Sequence, residues 1–244
     1  VIENNSQDEA TFRYYEEQQA AHENLKVARY EGAFNFSAIN NFGRSQAQGK
    51  FLVLLNNDIE IITPDWVEQM LMLAKQPGVG AVGAMLYYPD DTVQHAGVIT
   101  GLGGYAGHSH KYAKRGHSGY MFRLATVQDL SAVTAAMMMV KASVFDEVGG
   151  LDEGFTVAFN DVDFCLRLRG AGYSVLFTPY AEAYHCESKS RGQDKKGEAK
   201  ERFDGERARL KARYGDALLR DPFYNPSLTL DMEDFSEAAV LPAY

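Results

Sequence analysis

The chain is poor in cysteine: only Cys165 and Cys186 occur among its 244 residues, and they form no C-x-x-C spacing. That excludes a disulfide framework and a zinc ribbon and makes a reducing cytoplasm the default setting. No uninterrupted apolar stretch approaches the roughly 18 to 20 residues of a membrane span, and no basic start with an apolar centre marks a secretory leader. Basic residues are also scarce, 24 Lys and Arg against 33 Asp and Glu, for a net charge of -9. Bulk nucleic-acid binding is thereby excluded, because it needs a basic face to displace phosphate counterions. Acidity suits sites that take a divalent cation. Internal repeats are absent. What remains is 45% hydrophobic, with 14 Tyr, 14 Phe and 22 Gly, a composition foreign to disordered and coiled-coil chains. One large globular domain, or one domain with an appendage, is expected.

The pattern along the chain alternates strands with helices. VIENNS reads as the end of a strand entering a polar turn, and a helix is predicted over 8–21 with Asp8 and Glu9 at its favourable end. A strand over 25–30, a helix over 36–48 and the apolar strand FLVLL at 51–55 follow. Pro64 opens a helix that Pro77-Gly78 ends, and VGAVGAML at 79–86 is a further strand. This alternation predicts an open α/β sheet, mostly parallel, with helices on both faces. Residues 100–123, rich in Gly, His and Tyr without period, are expected to form a long surface loop. Beyond it come one bent strand or two, a short helix at 141–148, and an amphipathic helix at 160–170 capped by Asn160 or Asp161. SVLFTP is a short strand, AEAYHCE leads out of another, 189–213 is a charged helix or loop-helix, and the last 25 residues are a surface tail.

Four features carry chemistry. Asn56-Asn57-Asp58 ends the apolar strand, where open α/β folds bind ligands, and supplies oxygens suited to Mg²⁺ or Mn²⁺. A plain Asn/Asp turn accounts for the same triplet. Asn160-Asp161-Val162-Asp163 opens a helix, so its carboxylates serve either as caps or as a general base held at a cleft. His185 follows an apolar strand; its neighbour Cys186 is no partner for a metal, since adjacent strand residues point to opposite faces. The histidines His95, His108, His110 and His117 lack the fixed spacing and rigid scaffold of a zinc site, which leaves a lid or an acceptor-binding loop.

In order, VIENNS, NFSAINNFGRSQAQGKFLVLLNNDIEIITPDWVEQML, GAVGAMLYYP, SAVTAAMMMVKASVFDEVGGLDEGF, FNDVDFCLRLRGAGY and AYHCES resemble the bacterial family-two glycosyltransferases of GT-A fold. The resemblance covers about 190 residues. It implies a single GT-A domain over 1–215, with a Rossmann-like nucleotide-binding half at about 1–99, an acceptor-binding half at about 100–215, and 216–244 as a tail packed on the surface. The family's first strand is not in this sequence, Asn56 stands where many members carry Asp, and Asn160 where many carry Glu.

The resemblance implies inverting transfer of a sugar from a nucleotide-diphosphate sugar to an acceptor hydroxyl, dependent on Mg²⁺ or Mn²⁺, in cell-surface polysaccharide synthesis. Asp58 matches the metal-binding end of the family's D-x-D motif and His185 a histidine that joins the metal or diphosphate. Asp161 matches the catalytic base, and Asp163 supports the site or contacts acceptor. Glu3, Asn40, Arg44, Asn56, Asn57 and Arg191 are expected near the nucleotide sugar. A glycan or lipid-linked acceptor is implied, reached in the cytoplasm at the inner face of the membrane. The departures at Asn56 and Asn160 keep open a non-catalytic module that binds nucleotide sugar or glycan. A nucleotidyltransferase shares the sheet and metal carboxylates, but the order of Asp161 and His185 favours the glycosyltransferase.

Overall fold

The computed structural model describes residues 1–186 and 197–239. In chain order the elements are β1 (Ile2–Glu3), α1 (Glu9–Ala21), β2 (Ala28–Arg29), α2 (Phe36–Gln46), β3 (Phe51–Leu55), β4 (Ile59–Ile61) and α3 (Trp66–Ala74). Then come β5 (Val79–Tyr87), β6 (Val93–His95), β7 (Val98–Thr100), β8 (Ala106–His108), β9 (Gln128–Asp129) and β10 (Met137–Lys141). The series closes with α4 (Ala142–Glu147), α5 (Asn160–Gly170), β11 (Ser174–His185) and α6 (Gly197–Tyr214).

The central sheet runs β3-β10-β5-β11-β4, with β6 on β5 and β9 on β11. The pairing is mixed: β5 and β11 are parallel, while β10 runs antiparallel to both β3 and β5, and β4 antiparallel to β11. Thus β3, β5 and β11 share one direction and β10 and β4 oppose it. A separate parallel pair, β1 with β2, carries Glu3.

Both faces of this sheet are covered, which explains why β5 and β10 read as continuous apolar runs rather than alternating ones. The period of two still sorts their side chains. Met137 and Met139 pack with Met70 and Ala74 of α3 on one face. Met138 and Val140 pack with Phe145 of α4 and Phe164 and Leu168 of α5 on the other. Phe145, Phe164 and Leu168 are buried to within 2% of complete exclusion, each contributing about 1.5–3 kcal/mol by area removed from water. Gly83 is required by a close approach: a Cβ there would lie 2.5 Å from Val133. The segment leading into β10 can therefore lie directly on β5.

Several elements differ from the sequence reading. The stretch 100–123 is not a plain loop: β7 and β8 form an antiparallel hairpin, and Leu102, Ala106 and His110 are buried. Two strands expected at 174–186 are one, β11, interrupted by a bulge between Thr178 and Glu182. Helix α5 is not capped by Asn160 or Asp161; its N-cap is Phe159, at φ 62°, and Asn160 Nδ2 donates to the Val157 carbonyl instead. The segment after α6 builds a small core of its own, with Tyr224, Leu228 and Phe235 packed on Ile99 and Leu102 of the hairpin region. Among the described residues no helix is long and apolar enough to cross a membrane.

Candidate active site

The triplet Asn56-Asn57-Asp58 is both a turn and a ligand edge. It joins β3 to β4, and β4 pairs with the end of β11 so that Ile59 lies opposite His185. The Cys186 N–H donates to the Asp58 carbonyl at 3.0 Å and closes the register. His185 Nε2 consequently stands 3.2 Å from Asp58 Oδ1, and Asn56 Nδ2 lies 3.3 Å from the same ring nitrogen. Asn57 is exposed.

The protonation of His185 follows from Gln94. The Gln94 amide NH₂ donates to the His185 carbonyl at 3.2 Å, which orients Oε1 toward the ring, 2.7 Å from Nδ1. Since Oε1 only accepts, Nδ1 carries a proton, and in that tautomer the lone pair on Nε2 faces Asp58 and the Asn56 amide. The Asp58 to His185 contact meets an ion-pair distance but lacks hydrogen-bond geometry, and Asp58 Oδ1 is buried without a hydrogen-bond partner. A buried carboxylate oxygen facing an imidazole lone pair is costly unless a cation sits between them. Asp58 and His185 could therefore hold a divalent metal between them. No cluster of three or more ligating side chains occurs among the described residues, so the other positions would fall to phosphate oxygens and water.

Asp161 opens α5 and lines a cavity of about 430 Å³ shared with Tyr105, His108, Lys111, Phe159 and Phe203. Its Oδ2 accepts from the Ala135 N–H at 3.2 Å and its Oδ1 from the Val162 N–H at 2.8 Å. Burial raises its pKa above the usual carboxylate value, while hydrogen bonds from Ala135, Thr134 and Val162 oppose the rise. The left-handed backbone of Phe159 turns the chain immediately before Asp161, a conformation a bulky residue adopts at a cost of order 1–3 kcal/mol. Its ring is fixed by Tyr105 and Phe203 at centroid distances of 5.5 and 5.3 Å.

Three consecutive residues hold these parts together. The Thr134 N–H donates to His95 Nε2 at 3.3 Å, the Ala135 N–H to Asp161, and the Ala136 carbonyl accepts from Asn56 N–H at 2.9 Å. This tripeptide precedes β10, and Val133 beside it is the residue Gly83 admits. Upstream of Phe159, Glu206 of α6 receives the N–H groups of Thr156, Val157 and Ala158 and the Thr156 hydroxyl, at 2.5 to 3.1 Å.

Other expected site residues have different employments. Asp163 does not reach the acceptor cavity: its side chain is 0% exposed, and its oxygens take Arg167 at 2.8 Å, Arg213, and Tyr214 Oη at 2.9 Å. It ties α5 to α6. Arg44 forms a two-point ion pair with Asp146 at 2.9 and 2.7 Å, and Asn40 Nδ2 donates to the Phe36 carbonyl at 2.8 Å. Among the described residues, no hydrogen bond joins either to the Asp58–His185 pair. Glu3 is buried, accepts from Ser6 N–H at 2.6 Å and lies 3.4 Å from Arg29; its Oε2 has no hydrogen-bond partner. Arg191 lies outside the described residues. Sequence reasoning missed Gln94 and Thr134–Ala136, whose contacts join distant segments, whereas His108 stood in the histidine cluster read as a lid or an acceptor-binding loop.

The sequence model of the family described as "Glycosyltransferase like family 2" matches residues 1–203. The chain belongs to glycosyltransferase family 2. The Sinorhizobium fredii protein y4gI is 46% identical over 236 residues, which cover 96% of this chain and 26% of that protein. The O-antigen biosynthesis protein RfbC of Myxococcus xanthus is 37% identical over 235 residues, covering 96% of this chain and 18% of its own length. The chain thus spans about a quarter or less of these relatives. Among solved structures, GalNAc-T7 with UDP, GalNAc and Mn²⁺ superposes with a TM-score of 0.63 at 11% identity, covering 89% of this chain and 42% of that one. The mannosyltransferase PcManGT of Pyrobaculum calidifontis, in complex with GDP-Man and Mn²⁺, gives 0.52 at 15% identity, covering 90% and 62%. These likenesses show the fold of this family 2 chain to be GT-A.

Proposed function

We propose that the chain transfers a sugar from a nucleoside-diphosphate sugar to an acceptor hydroxyl, with inversion at the anomeric carbon, in the synthesis of a cell-surface polysaccharide. The observation that carries this reading is the buried, unbonded Asp58 Oδ1 facing the lone pair of His185 Nε2. Asp58 and His185 would hold Mg²⁺ or Mn²⁺, which would supply positive charge where the departing diphosphate gains negative charge. Asp161 accepts the proton of the acceptor hydroxyl as its oxygen bonds to the anomeric carbon and the bond to the diphosphate oxygen breaks. A carboxylate raised by burial above its ordinary pKa is the stronger base for that step. Glu3, Asn56 and Asn57 are assigned to the donor side on the resemblance, and the acceptor is taken to be a glycan or lipid-linked glycan met at the inner face of the membrane. The O-antigen role named for the Myxococcus relative supports the polysaccharide setting, and the UDP, GalNAc, GDP-Man and Mn²⁺ named for the structural neighbours support the kind of donor and metal.

The test is nucleotide release from a panel of UDP-, GDP- and dTDP-sugars with Mn²⁺, with NMR of the product giving its anomeric configuration. An inverted product is expected. Tight nucleotide-sugar binding without transfer or release would favour the non-catalytic module.

A further inference from the structure

His95 and His108 meet with Nδ1 facing Nδ1 at 2.8 Å, their rings edge to face at a centroid distance of 5.0 Å. Two imidazole nitrogens at that separation share a single proton, and the surroundings decide which ring carries it. His95 is fully buried, and its Nε2 accepts from the N–H groups of Gly97 and Thr134, each at 3.3 Å. Its proton must therefore sit on Nδ1 and point at His108 Nδ1. His108 then carries its own proton on Nε2. Burial lowers the pKa of both rings, His95 well below the usual value and His108 to about 4, with the neighbouring cations and histidines acting in the same direction. Both are neutral near pH 7, so the tautomer is fixed rather than averaged.

The consequence lies in the cavity. His108 is half-buried and lines the same space as Asp161, and among the described residues no hydrogen bond uses its Nε2. Because Nδ1 is turned inward to His95, the ring edge left for the cavity bears an N–H of known position. Tyr105, Phe159 and Phe203 give the cavity apolar walls, and Lys111 lies nearby. Few oriented polar groups on an aromatic-walled cleft is the composition of a site that recognises a small polar ligand.

We propose that His108 is a specificity-determining residue for the acceptor, locked by His95 so that its Nε2–H donates to a sugar oxygen adjacent to the hydroxyl that Asp161 deprotonates. The inference rests on the transferase reading for the nature of the ligand, whereas the lock rests on the contacts and burial of the two rings. The chain runs from the Thr134 N–H through His95 to His108, and Thr134 directly precedes the residue that holds Asp161. The donor for the neighbouring oxygen and the base for the reacting one are thus set from a single backbone segment.

The ligand class follows: a glycan whose acceptor sugar has a second oxygen beside the nucleophilic hydroxyl. An acceptor lacking that oxygen leaves a buried N–H unpaired, which penalises it far more than a missing methylene would.

The experiment uses the full chain labelled with ¹⁵N in its histidine rings and read by long-range ¹H–¹⁵N NMR. His108 is expected as the Nε2–H tautomer and His95 as the Nδ1–H tautomer at neutral pH; a doubly protonated or Nδ1-protonated His108 overturns the lock. His95→Gln, which keeps an acceptor for Thr134 but cannot donate to His108 Nδ1 in the same way, should release His108 into mixed tautomers. Methyl glucoside, galactoside, mannoside and N-acetylglucosaminide are then titrated in, and at least one should shift the His108 Nε2–H signal. If none does, the recognition role fails even where nucleotide release upholds the transferase reading; absent nucleotide binding and release would instead defeat that reading itself. With the glycoside that binds, His108→Phe should raise acceptor KM roughly ten-fold at unchanged donor KM and abolish discrimination against the monodeoxy analogue. His108→Gln, which retains a donor, should stay within about three-fold of the native protein. Equal rises in donor and acceptor KM, or retained discrimination in His108→Phe, would overturn the proposal.

Discussion

Gln94 holds His185 at two points, donating to its backbone carbonyl at 3.2 Å and accepting its ring N–H at 2.7 Å. The ring cannot rotate without breaking the second bond, and the amide cannot flip without breaking both. Gln94→Leu should therefore weaken Mn²⁺ affinity by roughly 10- to 100-fold, the usual cost of removing a partner behind a ligating histidine. Calorimetric titration with Mn²⁺ measures it. An unchanged affinity would show that His185 needs no such support.

Asp161→Asn should lower turnover by roughly 10²- to 10⁴-fold while nucleotide-sugar binding persists, since the amide cannot accept the proton. A variant with native turnover would remove Asp161 from the reaction.

The acid limb of kcat/KM should lie above pH 3.8, because burial raises the Asp161 pKa and only the carboxylate is a base. The sign for stability is opposite to that for activity. A carboxyl whose pKa is higher in the folded chain contributes its full stability below pH 3.8 and loses it as pH rises through the raised value. A pH–rate profile with its limb at or below 3.8 would contradict the assignment.

Asp152 behaves in the reverse sense. Burial tends to raise its pKa, but hydrogen bonds from the Gly154 N–H, Arg209 and Arg213 outweigh that and hold it at about 2. Its contribution is present above pH 3.8 and lost as pH falls toward about 2. Urea midpoints of Asp152→Asn should accordingly vary less with pH across that window than those of the native chain. Parallel curves would mean that the pairs with Arg209 and Arg213 do not survive in solution.

Glu206→Ala would leave three backbone N–H groups of residues 156–158 without their acceptor and a small void beside the middle of α6. A loss of about 2–4 kcal/mol by urea unfolding is expected. Turnover should fall as well, since that loop leads directly into Phe159 and Asp161.

The α/β alternation, the strand FLVLL and the helix bearing Asp161 were legible in the sequence because each is specified locally, by period and by turn residues. The hairpin β7–β8 was not, since strands of three residues show no period and its glycines imitate a loop. Asp163 misled for a geometric reason. Two residues along a helix is a rotation of about 200°, so Asp161 and Asp163 cannot face one cavity. Gln94 and His185 are 91 residues apart in the chain, and no pattern in either segment announces their meeting.

The tripeptide Thr134–Ala136 gives the site a shared mechanical origin. His95 accepts from the Thr134 N–H, Asp161 accepts from the Ala135 N–H, and the Asn56 N–H donates to the Ala136 carbonyl, so a shift of the strand's entry moves all three at the same time. Substitutions at His95 and Asp161 should not add: a double-mutant cycle between them will report coupling, although their side chains belong to different elements. On the proposed reading, a new acceptor preference is reached more readily through the cavity walls at Tyr105 and Phe203 than through the histidine pair, where each change is felt at Asp161.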